Sequence, residues 1–531
     1  MKLICHSEVP RGYYSKLAAD FHQKNPELYK IYPVSEDNLT DIQQQLSSFT
    51  VEKRELLANT LHEQYRGIEI HDAVKTNIEK LKQPNTFTVT TGQQLHIFLG
   101  PVFFIYKITS VIRQARRLQQ EHPENNYVPV FWMASEDHDL DEINEVSVFG
   151  KKYTWQAEKG EPVGRLSTLG LENLCNEWLA MAEKESLPDD LSAVFYAFKT
   201  AYSKCSSLSD ATRFIINYLF EQYGLIVIDA DSKELKSALT EVAINDIESE
   251  GIFNALHISS AELKKLGYGN QVNPRRTHFF MIKNGLRQRI DRVEGGFNLH
   301  PSNEYVSGES MHQLIINSPE VFSPNALLRP IFQQQILPNV AYVCGPSELH
   351  YWHQLYPVFQ REHIAAPILL LRDSYILLDA KTQQFLNVSG IDYEFIWLGY
   401  EAAAKELENV LLGKQNLNKD ITILINHTEK IFESLHNLKY KNIKELREIN
   451  SAWIKELNKA NKLLSSDLRS QPAYEPLFNK LRKLTNAYFN TAAPQERVVS
   501  WIEFILKYKI NPIKILIENT NRAMVFGSLS V

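Results

Sequence analysis

Five short apolar runs between Thr86 and Leu371 constrain this chain more than any other feature. They read TFTVTTG (Thr86–Gly92), YVPVFWMAS (Tyr127–Ser135), GLIVIDA (Gly224–Ala230), AYVCG (Ala341–Gly345) and APILLL (Ala366–Leu371). The first is rich in β-branched residues and ends in glycine, as a strand does. The others are almost continuously apolar, which suits strands covered on both faces rather than strands with one wet face. Helical apolar spacing lies between them, as in PVFFIYKITSVIRQARRLQQEH from Pro101. That alternation predicts an α/β fold with a parallel sheet. Polar or acidic residues follow the runs, beyond the carboxyl ends of the strands, where such sheets bind their ligands.

The flanking segments differ in texture. Residues 1–85 are rich in Gln, Glu, Lys and Leu and predict helices that pack on the core. The core is expected over 86–395, with an insertion at about 151–330. Within it, GYGNQVNPRRTHFFMIKNGLRQRID (Gly267–Asp291) predicts a loop and then an antiparallel hairpin turning at Asn284-Gly285. Over 396–490 a stripe runs through Leu435, Leu438, Asn442, Leu446, Ile449, Trp453, Leu457, Ala460, Leu464 and Leu468. Its steps of 3, 4 and 4 repeat every eleven residues, which predicts a long helix in a nearly straight α-helical coiled coil. Residues 491–531 are expected to return to the core.

Composition narrows the function classes. The 531 residues are 44% hydrophobic and 23% charged, ordinary globular material. A net charge of −6 argues against a nucleic-acid backbone as partner. Cys5, Cys175, Cys205 and Cys344 form no CxxC pair and no disulfide framework, which suits a reducing, cytoplasmic setting. MKLICHSEVPRGYYSKL lacks the apolar core of a signal peptide, and no apolar window reaches membrane-spanning length.

Three stretches carry the residue types for chemistry. In TTGQQLHIFLGPVFFIYK (Thr90–Lys107), Gly92, Gln93 and Gln94 end a strand, and Gly100-Pro101 opens a helix. Free N–H groups there would suit phosphate or carboxylate. With no Walker lysine and no GxGxxG, a plain strand–loop–helix connection is the stronger reading of this stretch alone. In EDHD (Glu136–Asp139), carboxylates flank His138 just past a strand. They would orient an imidazole base, hold a hard cation beside a nucleotide, or accept bonds from an amine or sugar. A helix N-terminus rich in acid explains the same residues without catalysis. In SPNALLRPIFQQQILPNVAYVCGPSELHYWHQL (Ser323–Leu355), Gly345-Pro346 repeats the helix start, with Glu348, Tyr351 and Trp352 behind it and Arg329 ahead. Core packing is the commoner fate of the aromatics, and a structural ion pair that of the arginine.

Together these stretches, with QVNPR and PQERV (Pro494–Val498), resemble the bacillithiol biosynthesis cysteine-adding family, in the same order and from end to end. The resemblance implies a Rossmann-like core with inserted connecting segments and a coiled coil that makes a homodimer. It implies a ligase joining cysteine to the amine of glucosaminyl malate in the last step of bacillithiol biosynthesis. The resemblance implies nucleotide binding, with ATP or ADP the expected nucleotide and Mg²⁺ a candidate ion; no residue is assigned as a metal ligand. On that basis His138, Asp137, Asp139 and Glu136 are candidate catalytic residues. Gly92, Gln93, Gln94, Gly100, Pro101, Lys107, Asn273, Arg275, Arg329, Gly345, Pro346, Glu348, Tyr351 and Trp352 are candidate substrate or nucleotide contacts. His138, with Asp137 or Asp139, would deprotonate the amine; Lys107 and Arg329 would supply positive charge. Tyr106 and Cys344 depart from the family pattern, which has histidine and glycine there. Two rival readings are a nucleotidyltransferase acting on another acid or sugar and a non-catalytic nucleotide-binding scaffold.

Overall fold

A computed structural model of the chain describes residues 2–6, 14–269, 271–414, 423–428, 430–431, 433–434, 443–490, 493–518 and 526–530. Its central sheet has five parallel strands in the order Ile368–Leu371, Asn339–Cys344, Thr86–Gln93, Asn126–Met133, Ile226–Asp229. In chain order these are the fifth, fourth, first, second and third strands of the sheet. All five apolar runs of the sequence are these strands. The order reverses between Thr86–Gln93 and Asn339–Cys344, which makes a Rossmann-like sheet with its switch point there.

The central position of Thr86–Gln93 is written in its side chains. Every residue but the last is buried, so its hydroxyls need partners inside the protein. Thr88 and Thr90 reach Asn339 Oδ1 at 3.2 and 2.7 Å, and Thr91 donates to the Val343 carbonyl at 2.7 Å. An unpaired buried hydroxyl would cost about 1–3 kcal/mol, so these bonds are what make a threonine-rich inner strand tolerable. Pro129 sits inside the neighbouring strand, where a missing N–H normally breaks a ladder. The ladder to Ile226–Asp229 begins only at Val130, so on that side the proline falls just before it. The helix Phe103–Glu121 covers the sheet and buries Phe104, Ile105, Ile108, Val111 and Ile112.

The segment before the core forms helices Lys16–His22, Pro26–Ile31, Leu39–Gln45, Val51–Gln64 and Asp72–Lys80. Buried Arg54 ties them to the sheet by donating to the carbonyls of Leu81, Pro84 and Thr86 at 3.0–3.2 Å. The helical reading of 1–85 missed one strand. Lys2–His6 pairs antiparallel with Phe526–Ser530, which runs parallel to Ser374–Leu378. The sequence signal is too short for a local reading, because the partner lies at the other end of the chain.

The expected insertion at about 151–330 is not one block, since Ile226–Asp229 within it belongs to the central sheet. Its later part forms a five-stranded antiparallel sheet ordered Glu304–Ser307, Gly296–His300, Leu286–Val293, Phe279–Lys283, Phe322–Pro324. The hairpin turns at Asn284 and Gly285, with φ of 55° and 79°. Both are positive, as a two-residue hairpin turn of this hand demands.

Helix Ile443–Ser470 spans 28 residues. Of the predicted stripe, Leu435, Leu438 and Asn442 lie outside the described residues. Ile449 and Trp453 are exposed, Leu457 is half-buried and Leu468 is buried. The chain then returns to the core through Gln495 and Glu496. Gln495 accepts from the Leu377 N–H at 2.8 Å, and Glu496 pairs with Arg372 at 2.6 and 2.9 Å, both side chains almost fully buried. Removing one partner of a buried pair strands the other charge. Glu496→Ala should therefore cost about 3–5 kcal/mol and lower the thermal midpoint well below that of the unaltered protein. Scanning calorimetry reads this directly, and coincident melting curves would show that the clamp contributes nothing.

Candidate functional site

The crevice at the switch point is built around one buried cation. Lys107, 1% exposed, reaches across from the helix behind the first strand. Its ammonium donates to the Gly92 carbonyl, to Gln93 Oε1 at 3.1 Å and to Glu348 Oε2 at 2.5 Å. Glu348 also accepts from the Gly345 N–H and the Tyr342 hydroxyl, each at 2.8 Å. Burial drives the Lys107 ammonium below the usual lysine range, and Glu348 offsets only part of that. Burial alone would raise the Glu348 carboxyl; Lys107 and its other donors outweigh it and hold the group below its ordinary value. The pair is ionised and mutually satisfied.

That geometry corrects several expectations. Lys107 has three donors and all three are spent inside the protein, so it does not present its charge to a phosphate. Glu348 is its counter-ion, and its side chain, 22% exposed, still reaches the crevice. Gly100 and Pro101 do not open onto an anion site either. The Val102 N–H donates to the Val499 carbonyl at 2.8 Å, and a Cβ on Gly100 would lie 2.8 Å from that of His96. Gly100, at φ +55°, is needed by the backbone. Trp352 is fully buried and stacks on Tyr342 at 4.3 Å, so it is core. Arg329 lies over the rings of Tyr342, Trp132 and Trp352 at 5.2, 5.6 and 5.8 Å, with Nη1 on Gln333. Its Nη2 is buried without a partner among the described residues. Tyr351 is half-buried beside it.

The EDHD turn stands one strand over and is joined to the crevice by Gln94, whose amide donates to Asp137 Oδ2 at 2.8 Å and to Glu142 at 2.6 Å. Asp137 Oδ1 accepts the N–H groups of His138 and Asp139 at 2.7 and 3.4 Å. It thus caps its own turn while one oxygen faces the edge. Glu136 turns away, making a 2.7 Å ion pair with buried Lys236, which also holds Asp231 at 2.7 Å. Arg165 completes that group through Asp231. Glu136 is a structural ion-pair member, not a partner of His138.

His138 is half-buried, with Nδ1 3.1 Å from Arg287 Nη1 and its ring against Phe280. A guanidinium only donates, so Nδ1 accepts and the neutral ring carries its proton on Nε2. Burial, with the Arg287 charge second, lowers its pKa below the ordinary histidine value; Asp137 and Asp139 pull the other way. In this arrangement His138 is a neutral donor at Nε2 rather than a base.

Two cavities open here. One of about 480 Å³ lies between the EDHD turn and the sheet of the insertion, lined by His138, Arg275, Phe280, Arg287, Arg289 and His300 among others. His278 backs its wall: fully buried, it bonds Asp246 through Nδ1 at 2.7 Å and accepts the Arg275 N–H at 3.2 Å. Asn273 is exposed and does not line this cavity. The other, of about 130 Å³, lies beside Gly345-Pro346 and is lined by Ser347, His350, Glu496 and Arg497. Arg497 donates to Ser347 Oγ at 3.2 Å. Among the described residues no group of three or more His, Cys, Asp or Glu is placed to hold a metal.

With this geometry in view, comparison with known proteins is decisive. Residues 4–373 match the family model described as bacillithiol biosynthesis BshC, N-terminal Rossmann-like domain. The chain belongs to the BshC family. It is 39% identical over 398 residues to a protein of Flavobacterium johnsoniae, covering 74% of each chain. It is 33% identical over 517 residues to one of Flavobacterium psychrophilum, covering 96% of this chain and 95% of the relative. A third, from Christiangramia forsetii, is 31% identical over 532 residues, 98% and 97% of the two chains. All three relatives bear the name "Putative cysteine ligase BshC". No described helix is long and apolar enough to cross a membrane.

Of the residues expected at a site, the structure gathers Gly92, Gln93, Gln94, Asp137, His138, Arg329, Gly345 and Pro346 along the carboxyl edge. It puts Arg275 across the larger cavity from that edge. Arg287, His300 and Arg497 escaped the sequence reading. Arg287 sits in the strand Leu286–Val293, whose sequence LRQRIDRV is mostly polar and gives no local sign that Arg287 is buried or what it meets.

Two outcomes test these electrostatics. Lys107→Met alone should destabilise the protein by about 3–5 kcal/mol, whereas Lys107→Met with Glu348→Gln should cost clearly less, because no buried charge is stranded. Denaturant melts of both single variants and the double variant check it. In NMR titration His138 should show a pKa below 6.5, and Arg287→Gln should move it upward by removing a neighbouring positive charge. An unmoved or falling value would contradict the contact.

Proposed function

We propose that this chain is a ligase forming an amide between the carboxyl group of cysteine and the amine of glucosaminyl malate, the last step of bacillithiol biosynthesis. The relatives named for a cysteine ligase supply the reaction class. The observation that carries the reading to these residues is the Gln93-Gln94 bridge. It links the Lys107–Glu348 pair at the switch point to Asp137 beside the larger cavity, so one continuous edge serves both reactants.

Amide formation needs an amine with a free lone pair. The nitrogen attacks the activated carbonyl carbon, the C–N bond forms, the C–O bond to the activating group breaks, and the surplus amine proton goes to a base. Asp137 and exposed Asp139 are the carboxylates in place to hold an ammonium and accept that proton. His138, with its proton on Nε2, suits the developing oxyanion or a substrate carboxylate. Oxyanion stabilisation by one such donor is worth about 10²–10³ in rate. ATP would supply the activation of the cysteine carboxyl when bound. Ser347, His350 and Arg497 have the donors for its phosphate groups in the smaller cavity. Mg²⁺ would be carried on phosphate oxygens and waters, which requires no all-protein cage. Exposed Ile449 and Trp453 on the 28-residue helix support pairing with a second copy through the coiled coil.

Asp137→Asn should keep the fold and reduce product formation by at least about 10²-fold in an assay holding cysteine, glucosaminyl malate and ATP, followed by mass spectrometry of the thiol product. Undiminished turnover removes Asp137 from the chemistry. Pyrophosphate release without amide would favour the nucleotidyltransferase reading instead.

A further inference from the structure

The larger cavity has a feature that the amide chemistry does not use. Its wall contains three arginines, Arg275, Arg287 and Arg289, and three histidines, His138, His278 and His300, but no Asp or Glu side chain. Arg289 is neutralised by Asp291, with contacts of 2.5–3.0 Å. Arg287 is not. It is 9% exposed, its ring partner is Phe280 at 3.9 Å, and no carboxylate among the described residues lies within ion-pairing distance. The fields of Asp137, Glu136 and Asp231 reach it, Asp137's most, but none of the three touches it, and Glu136 and Asp231 are paired with Lys236.

A buried guanidinium without a counter-ion is costly, by several kcal/mol, unless something supplies the missing charge. Arg287 spends three donors on Ser323 Oγ at 3.0 Å, His138 Nδ1 at 3.1 Å and the Pro324 carbonyl at 2.9 Å. Of five N–H groups, two remain. These neutral acceptors fix the fork in place, which is what a site for a planar anion requires. Arg275 and His300 add positive or donating groups at the same cavity, and Phe279, Phe280 and Leu286 give it apolar walls. At about 480 Å³ it is far larger than a lone carboxylate and has the size of a pocket for a sugar-sized molecule.

We infer that this cavity is a carboxylate subsite, with Arg287 as its floor and Arg275 at its rim, that receives the acidic end of the amine substrate while Asp137 and Asp139 face its amine. The assignment rests on the ligase reading for the identity of that substrate, but the anion site stands on Arg287 itself. It makes Arg287 a specificity determinant: an aminosugar without a carboxylate would leave the guanidinium unpaired.

The test is equilibrium binding to the full-length protein, which needs no turnover. The probes are L-malate, the glucosaminyl conjugate of malate, and glucosamine alone, each titrated calorimetrically and followed by the ring signals of His138 and His300. Malate and the conjugate should bind and move both signals, the conjugate more tightly, with glucosamine at least about tenfold weaker than the conjugate. Arg287→Gln should weaken the conjugate at least about tenfold, with Arg287→Lys recovering part of the loss. Arg275→Gln, at an exposed position, supplies the same comparison with little risk to folding and should weaken binding as well. Conjugate affinity unaltered in both glutamine variants, or binding without movement of the His138 and His300 signals, would overturn the subsite. Equal affinity of malate and the conjugate would overturn the assignment to the amine substrate and leave a site for free dicarboxylates. Amide formation at wild-type rate with undiminished binding in both variants refutes the subsite alone; tight conjugate binding with no amide product refutes the ligase reading alone.

Discussion

The carboxyl edge of the central sheet depends on the ion pair of buried Lys107 with Glu348. A parallel sheet whose strand order reverses leaves a gap between the two helices that diverge from the switch point. Lys107 comes from one of those helices and Glu348 from the other, and between them they also hold the Gly92 carbonyl, Gln93, the Gly345 N–H and Tyr342. Lys107, 1% exposed, could not be buried without a counter-ion, because desolvating its charge costs several kcal/mol. The loops after the first and fourth strands are therefore held in register by electrostatics, and Gln94 carries that register on to Asp137.

Two cationic side chains near the edge show opposite solutions to the same problem. Lys107 is compensated within the protein and serves geometry. Arg287 is held by three neutral acceptors and has no carboxylate in contact among the described residues, only the more distant fields of Asp137, Glu136 and Asp231. Two cations that look alike in the sequence thus have unlike partners, and only those partners distinguish them.

The C-terminal segment completes the frame. Gln495 and Glu496 grip the Ser374–Leu378 strand and Arg372, Val499 accepts from the amide of Val102, and Trp501 donates to the Phe98 carbonyl at 3.1 Å. These contacts occupy the Gly100-Pro101 helix start, which the sequence alone offered as an anion site. They also fix Arg497 beside Ser347, so the smaller cavity exists only because the chain returns to the core after its long helices.

The parallel sheet was legible in the sequence because burial on both faces forces continuous apolar runs, and five of five such runs are its strands. The Asn284-Gly285 hairpin was legible because few residue pairs accept two consecutive positive φ angles. The neighbourhood of the site was also legible, since ligand chemistry in such sheets follows the strand ends. What each charged group does was not. Glu136, Asp137, His138 and Asp139 are consecutive, yet one pairs with Lys236, one bonds Gln94, one accepts from Arg287 and one stands exposed. Those partners lie about 40 to 150 residues away in the chain, and a charge's role is set by what lies within a few ångströms in space. Local sequence determines which backbone a stretch prefers; the tertiary structure decides which charges are cancelled and which remain for a ligand.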